Sequence, residues 1–162
     1  LARAYSILAN DGLRREVRMT AIDQYQDESV RVINADIVKT VRQMLETAAS
    51  DQGTGRRALI DGYSVGGKTG TARKIKATGG YDENRHMSLF AGLSPINNPR
   101  LVTVVVIDEP SEDKYYGGLV AAPVFSEVTG SALRLLQVTP DAMSAERNIA
   151  SLPAMLAKRG GL

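Results

Sequence analysis

A glycine-rich segment in the middle of the chain, residues 62–75 (GYSVGGKTGTARKI), restricts the fold more than any other part of the sequence. Its first eight residues match the phosphate-binding loop pattern G-x-x-x-x-G-K-[ST], which must lead into a helix whose N-terminal amides face the phosphates. The residues after Lys68 are poor helix formers, because Gly70 costs about 1 kcal/mol inside a helix and its two flanking threonines add to that penalty. We therefore predict a β-strand from Ser64 to Ile75.

A nucleotide-binding protein that uses Gly62–Thr69 is the alternative interpretation, because residues 101–109 (LVTVVVIDE) look like an apolar strand that ends in a magnesium-binding aspartate. Two features count against it. A parallel sheet needs a crossover between its strands, and no helical pattern separates Lys68 from Asp108. Ahead of the loop, where a buried strand is required, only residues 59–60 (LI) are apolar.

Hydrophobic periodicity divides the rest of the chain into helices and strands. The predicted elements are helices at residues 1–12, 35–49 and 122–137, strands at 64–75, 86–93 and 101–108, strand and loop at 17–32, a polar loop at 76–85 and a hairpin turn at 97–99. Short links between neighbouring strands favour antiparallel pairing. The predicted fold class is therefore α+β, an antiparallel sheet flanked by helices.

Several details of these elements can also be predicted. Asn34 or Asp36 caps the second helix, and Pro123 suits the first turn of the last one. The valine-rich strand 101–108 is expected to be the buried central strand. The second helix is expected to bury an apolar stripe composed of Ile37, Val38, Val41, Met44, Leu45 and Ala48.

Composition excludes several classes of protein. The chain has no cysteine, which rules out disulfides and thiolate metal sites, and a single histidine, which makes any other metal site improbable. Its net charge of +2 is spread along the sequence, which argues against a nucleic-acid partner. The longest apolar run, Leu101–Ile107, is too short to span a bilayer. No cofactor is expected.

The predicted strand 64–75 carries side chains suited to anion binding. Alternation places Thr69, Thr71 and Arg73 on one face, where two hydroxyls and a guanidinium can bind a carboxylate. A strand edge beside a cleft can also take an extended peptide as an added strand, and its N–H groups can polarise a carbonyl. Acyl transfer therefore suits these residues better than phosphate binding.

Five segments of the sequence resemble one protein family. They are residues 52–58 (QGTGRRA), 65–74 (VGGKTGTARK), 90–95 (FAGLSP), 104–110 (VVVIDEP) and 115–125 (YYGGLVAAPVF). Together they are similar to the C-terminal part of the transpeptidase domain of class B penicillin-binding proteins, especially the septal cell-division enzymes, whose signatures include K-T-G. The resemblance runs from about Leu1 to Asp141. It implies the fold of serine β-lactamases and penicillin-binding transpeptidases, with residues 1–138 as part of that domain and 139–162 as a disordered tail.

The resemblance also implies roles for residues around the K-T-G strand. Lys68 corresponds to the lysine that assists proton transfer beside the serine of an S-x-N motif. Thr69 and Thr71 correspond to hydroxyls that bind the substrate's terminal carboxylate, with Gly70 between them allowing close approach of the substrate. The backbone N–H of Thr71 corresponds to half of the oxyanion hole.

Four further residues are implied to border the substrate cleft. Arg73 corresponds to a basic residue beyond K-T-G, and Tyr115 and Tyr116 to an aromatic pair that flanks bound antibiotics. His86 is the nearest candidate for a residue that opens the next strand and borders the cleft, where relatives carry an aromatic. The alternative interpretation of His86 is an ordinary hydrogen-bonded strand residue, and the tyrosines could instead pack the sheet edge.

The nucleophile of the family, the serine of S-x-x-K, is expected upstream of Leu1. The only S-x-x-K here, Ser111–Lys114, follows K-T-G in a polar loop and is interpreted as a chance match. The resemblance implies a peptidoglycan D,D-transpeptidase at the periplasmic face of the inner membrane, anchored outside this chain. Implied partners are the upstream segment with S-x-x-K and S-x-N, peptidoglycan stem peptides, β-lactams and cell-division proteins. A non-catalytic relative that acts as a binding module is the remaining alternative.

Overall fold

The computed structural model describes residues 1–20, 28–111 and 115–142. Its elements in chain order are α1 (Ala2–Ala9), β1 (Leu13–Arg14), β2 (Val30–Arg31), α2 (Ala35–Ala49), a 3₁₀ turn (Arg56–Ala58), β3 (Gly66–Ile75), β4 (Tyr81–Ser94), β5 (Leu101–Asp108) and α3 (Gly117–Leu135). Strands β3, β4 and β5 form an antiparallel sheet, with α3 against β4 and β5 and α2 against β3. This is the predicted α+β arrangement.

The strand order β3-β4-β5 makes β4 the central strand of this sheet. The prediction that the valine-rich strand 101–108 would be central is therefore wrong. Most of β5 is only half-buried, whereas Ser88, Phe90 and Leu93 of β4 are fully buried. A run of valines indicates burial against a neighbour, but two successive hairpins place the middle strand at the centre whatever its composition.

The hairpin between β3 and β4 is longer than predicted. Residues 81–85, predicted as part of a polar loop, belong to β4, and Tyr81 pairs with Ile75. The turn is made by Gly79 and Gly80, whose φ angles of +88° and +78° suit glycine. The polarity of residues 81–85 therefore reflects exposure on both faces of a projecting ribbon and not the absence of a strand.

Helix α3 begins at Gly117, five residues before the predicted start, so that Pro123 lies inside the helix and not in its first turn. The glycine pair that opens the helix resembles a loop in sequence, but it permits a close approach to the sheet. Phe125 of α3 contacts Phe90 of β4 with ring centroids 4.8 Å apart, in an edge-to-face arrangement at the centre of the core. On the outer side of α3, Val128 and Leu135 are exposed.

The first two helices are joined by one arginine. Arg42 of α2 donates hydrogen bonds to the carbonyls of Leu8 and Ala9 at the end of α1 and forms an ion pair with Asp11. These bonds satisfy carbonyls that a helix C-terminus leaves without partners. Helix α1 ends before Gly12, whose φ is +87°, which confirms that predicted stop.

Helix α2 has the predicted bounds, and Asn34 caps it by accepting a hydrogen bond from the N–H of Asp36 at 2.8 Å. Its predicted apolar stripe is only partly buried. Val38 is fully buried, but Ile37 and Met44 are 57% and 64% exposed. The described residues therefore cover only one side of this apolar stripe. Its other side, which carries Ile37 and Met44, is exposed.

The segment after α3 returns to the start of β3. Tyr63 donates a hydrogen bond to the carbonyl of Val138, and Ala142 donates one to the carbonyl of Gly62. The carboxylate of Asp141 accepts from both the N–H and the hydroxyl of Ser64. Ordered contacts therefore continue past residue 138, while residues 143–162 of the predicted tail lie outside the described residues, so its disorder stays a prediction.

Candidate active site

The K-T-G segment lies on β3, an edge strand. The strand continues from Gly66 through Ile75, so Lys68 does not open a helix as a phosphate-binding loop would require. Asp108, the candidate magnesium ligand of that interpretation, is instead paired with Lys74. Among the residues described, β3 pairs only with β4, which leaves the main-chain groups of its other edge available to a ligand.

Thr69 and Thr71 face the same cavity, as their spacing predicted. The cavity has a volume of about 450 Å³ and lies between β3, the start of α3 and the turn that follows α2. Its lining residues are Gly53, Thr54, Arg56, Arg57, Thr69, Thr71, Tyr116, Gly117, Gly118 and Leu119. The lining contains hydroxyls, two arginines and no carboxylate, a combination that favours an anionic ligand.

The first N–H of α3 fixes the hydroxyl of Thr71. Gly117 donates a hydrogen bond to Thr71 Oγ1 at 3.2 Å. Because this bond occupies a lone pair of the hydroxyl, the hydrogen of Thr71 remains available to donate to a ligand. Gly117 must be glycine for this contact, since a Cβ would lie 2.3 Å from the carbonyl oxygen of Leu89 and 2.6 Å from that of Gly70.

The side chain of Lys68 bends around the edge of β3 towards Thr69. Its Nζ lies 3.2 Å from Thr69 Oγ1, 3.3 Å from the Thr69 carbonyl oxygen and 3.5 Å from Thr54 Oγ1. Alternation alone predicted that Lys68 and Thr69 would occupy opposite faces. The long lysine side chain brings its ammonium group to the threonine side, where it meets the hydroxyls of Thr54 and Thr69.

The other predicted cleft residues form a second group next to the first. Arg73 and His86 are cross-strand partners, and the rings of His86 and Tyr115 stack 4.1 Å apart at 15°. Tyr115 in turn contacts Tyr116, with ring centroids 4.5 Å apart and hydroxyl oxygens 3.3 Å apart. The hydrogen bond to Tyr116 raises the pKa of Tyr115. Tyr116 also lines the first cavity, so the tyrosine pair connects the two groups.

Backbone contacts hold this aromatic group in place. The buried hydroxyl of Ser88 donates to the carbonyl of Tyr115. The N–H of Glu109 donates to the carbonyl of His86 at 3.0 Å. His86 and Tyr115 are therefore fixed from β4 and from the segment after β5. This stacking favours the interpretation of His86 as a residue that borders the cleft.

A cluster of ion pairs lies at the end of the sheet where β3 and β5 end. Lys74 Nζ lies 2.9 Å from Asp108 Oδ1 and 2.6 Å from Glu109 Oε1, and Arg85 also bonds to the Glu109 carboxylate. Hydrogen bonds from Arg85 and then Lys74 lower the pKa of Glu109 from 4.5 to about 2. Lys74 therefore links β3 to the end of β5 and the residue after it.

Two residues of the site were missed by the sequence analysis. Thr54 lies in the G-T-G element and contacts both Lys68 and Thr69, but the motif by itself gave no role to its threonine. Gly117 was noted only as part of a family motif. Both residues have a glycine neighbour in the sequence, which indicates that another backbone segment approaches closely. The sequence does not indicate which segment that is.

Ser111 and Lys114, the chance S-x-x-K match, cannot be compared because residues 112–114 lie outside the described structure. Within the described ranges, no three His, Cys, Asp or Glu side chains are grouped as a metal site would need. None of the described helices combines the length and apolarity needed to cross a membrane.

Comparison with known proteins gives consistent matches. Residues 1–130 match the penicillin-binding protein transpeptidase domain. The chain is 43% identical over 140 residues to the probable peptidoglycan D,D-transpeptidase PenA of Neisseria flavescens, covering 86% of this chain and 34% of PenA. It is 40% identical over 144 residues to the peptidoglycan D,D-transpeptidase FtsI of Escherichia coli K12, covering 89% of this chain and 24% of FtsI.

A solved structure gives the same result. The apo transpeptidase domain of penicillin-binding protein 3 from Burkholderia pseudomallei matches with a TM-score of 0.77 at 41% identity, covering 86% of this chain and 42% of that chain. The chain thus spans about a third of the length of PenA and about a quarter of the length of FtsI.

Proposed function

The chain belongs to the penicillin-binding protein transpeptidase family, and on that premise we propose that it forms the K-T-G wall of a serine D,D-transpeptidase that cross-links peptidoglycan stem peptides. The observation that supports this most directly is the position of Thr69 and Thr71 in the lining of one cavity beside β3, with the ammonium group of Lys68 3.2 Å from Thr69 Oγ1. A positive charge and two hydroxyls beside an unpaired strand edge suit an extended peptide that ends in a carboxylate.

In the proposed reaction, a serine from the sequence upstream attacks the carbonyl carbon of the stem peptide's penultimate D-alanine. The peptide bond breaks, the terminal D-alanine leaves as an amine that takes up a proton, and the peptide remains as a serine ester. The amine of a second stem peptide then attacks the ester, restoring the serine hydroxyl and forming the cross-link. A β-lactam forms the same ester when its ring amide opens.

The residues of this chain have separate tasks in that scheme. Thr69 and Thr71 donate hydrogen bonds to the terminal carboxylate. The N–H of Thr71 stabilises the developing oxyanion. Lys68 assists proton transfer, while Gly70 lets the peptide backbone approach the strand. Because Gly117 occupies one lone pair of Thr71, that hydroxyl is oriented as a donor before substrate arrives.

The aromatic group borders the part of the cleft beyond the K-T-G strand. Arg73, His86, Tyr115 and Tyr116 contact the remainder of the stem peptide or the side chain of a β-lactam. Stacked, partly exposed rings offer apolar surface at little entropic cost, because their mutual contacts already hold them in place.

The setting of the reaction follows the relatives. We infer that the upstream sequence supplies S-x-x-K and S-x-N, and that the protein works in septal wall synthesis with other cell-division proteins. Its place is the periplasmic face of the inner membrane, held by an anchor outside this chain. Support comes from the similarity to FtsI.

Labelling with a fluorescent penicillin tests the proposal in the full-length protein that contains this chain. We expect covalent labelling of the wild type and a rate lower by roughly 100-fold in Lys68→Ala, the range for loss of a group that assists proton transfer. Lys76→Ala, in the exposed turn between β3 and β4, is the matched control and should label normally. Absence of labelling in the wild type would support a non-catalytic binding module instead.

A further inference from the structure

Thr54 occupies a tightly built turn that follows α2. A Cβ on Gly53 would lie 2.2 Å from the carbonyl oxygen of Ala48, and the N–H of Gly55 donates to that same oxygen at 3.0 Å. The first contact requires glycine at position 53, and a Cβ on Gly55 would lie 3.0 Å from the ring of Phe90 and 3.2 Å from the Ala48 carbonyl oxygen. The turn therefore rests directly on the last turn of α2, and the position of Thr54 is fixed by backbone packing.

The same residue meets the start of α3. A Cβ on Gly118 would lie 2.4 Å from the carbonyl oxygen of Thr54 and 3.4 Å from Cγ2 of Thr69. Glycine at position 118 thus lets α3, β3 and the turn after α2 converge at one point. Three elements therefore pack closely around Thr54, which restricts its position more than an isolated surface turn would.

The hydroxyl of Thr54 contacts two residues of the proposed site. Thr69 donates a hydrogen bond to Thr54 Oγ1 at 3.1 Å, and Lys68 Nζ approaches the same oxygen at 3.5 Å. A hydroxyl has two lone pairs and one hydrogen, so Thr54 can accept from both neighbours and still donate. Thr54 is therefore able to set the direction of the Thr69 hydroxyl and the location of the Lys68 ammonium.

We propose that Thr54 is a positioning residue for carboxylate binding by Thr69. In the free protein the Thr69 hydrogen is directed to Thr54. When a carboxylate enters the cavity, the hydroxyls rotate, so that Thr54 donates to Thr69 and Thr69 donates to the carboxylate. This role rests on the proposed function, since it concerns the same substrate anion.

The test compares Thr54→Val with Thr54→Ser in the full-length protein. Valine keeps the shape of threonine without the hydroxyl, and serine keeps the hydroxyl. Acylation is followed with a penicillin, which carries the carboxylate, and with its methyl ester, which does not. We expect Thr54→Val to acylate roughly tenfold more slowly with the acid, the effect of one hydrogen bond to a charged group, and Thr54→Ser to restore most of the rate.

The ester separates positioning from a general structural defect. If Thr54 acts through the carboxylate, the ester should react at nearly the same rate with Thr54→Val as with the wild type. Thr40→Val is the matched control, because that hydroxyl is exposed on α2 and bonded to the Asp36 carbonyl at 3.1 Å. Its rates with both compounds should equal those of the wild type.

Two results would overturn the proposal for Thr54 alone. One is an acid rate that Thr54→Val leaves unchanged, and the other is an equal loss for acid and ester, as a packing defect would give. If the wild type reacts with neither compound, the proposed function itself fails, and the role of Thr54 fails with it. A wild type that reacts while Thr54→Val shows no selective loss rejects only the inference.

Discussion

Replacing Gly117 by alanine should disturb the candidate site in a way that the structure allows to be quantified. The new Cβ would lie 2.3 Å from the carbonyl oxygen of Leu89, and side-chain Cβ atoms are essentially never closer than 3.0 Å to a neighbouring atom. Because Leu89 belongs to the central strand, the start of α3 must move by at least 0.7 Å, the difference between these distances. Movement away from the sheet takes the 3.2 Å bond from Gly117 to Thr71 beyond hydrogen-bond range.

The expected cost has two parts. Overpacking typically destabilises a protein by about 1–3 kcal/mol, and loss of a hydrogen bond adds about 1 kcal/mol. A total of roughly 3 kcal/mol corresponds to a fall in melting temperature of about 6–12 °C for a domain of ordinary size. The Thr71 hydroxyl is also released from its fixed orientation, so penicillin acylation at a temperature where the variant is folded should slow by roughly tenfold.

Gly130→Ala is the matched control on the same helix. There a new Cβ would lie 2.9 Å from Cγ2 of the buried Ile60 and 3.3 Å from a guanidinium nitrogen of Arg134, so the shift needed to reach 3.0 Å is only about 0.1 Å, against 0.7 Å at Gly117. Removing glycine from a helix interior also gains about 1 kcal/mol, so this variant should melt close to the wild type and acylate normally. Equal melting and acylation of Gly117→Ala and the wild type would refute the proposed contact between α3 and Thr71.

Two other variants test the ends of the sheet. Asp141→Ala removes the carboxylate that accepts two hydrogen bonds from Ser64, so the free energy of unfolding, measured by urea titration, should fall by about 2–3 kcal/mol, and an unchanged midpoint would contradict the contact. Arg85 and Lys74 lower the pKa of Glu109 from 4.5 to about 2, so its stabilising contribution is complete above pH 4.5 and is lost as the pH falls towards about 2. Thermal melts should therefore show Glu109→Gln less stable than the wild type at neutral pH, with the difference closing in that acidic range; a difference independent of pH would reject the ion cluster as its cause.

The fold class was predictable because the decisive signals were local. The helix penalty at Gly70 and the run of strand-forming residues around it indicated a strand, and short turns between strands indicated antiparallel pairing. The order of strands and the start of α3 depend on tertiary contacts. Valines in β5 could not indicate which strand is central, and Gly117 resembles a loop residue until its contact with the carbonyl of Leu89 is known.

The candidate site divides in the same way. Thr69 and Thr71 share a cavity because a strand alternates, which the sequence alone predicts. The bend of Lys68 towards Thr69 and the approach of Thr54 from a distant turn depend on side-chain reach and on packing between elements. Periodicity carries no information about either contact.

The free edge of β3 also limits how such a site can diverge. Main-chain N–H and C=O groups are the same for every side chain except proline, so a ligand held along that edge is recognised by atoms that only a proline substitution can remove. Under the proposed function, inherited changes in ligand preference are expected at the proposed cleft residues His86 and Tyr115, whose stacked rings lie outside β3. Few substitutions should weaken the binding of a compound held by the main-chain edge alone, whereas many should weaken the binding of one held by the stacked rings.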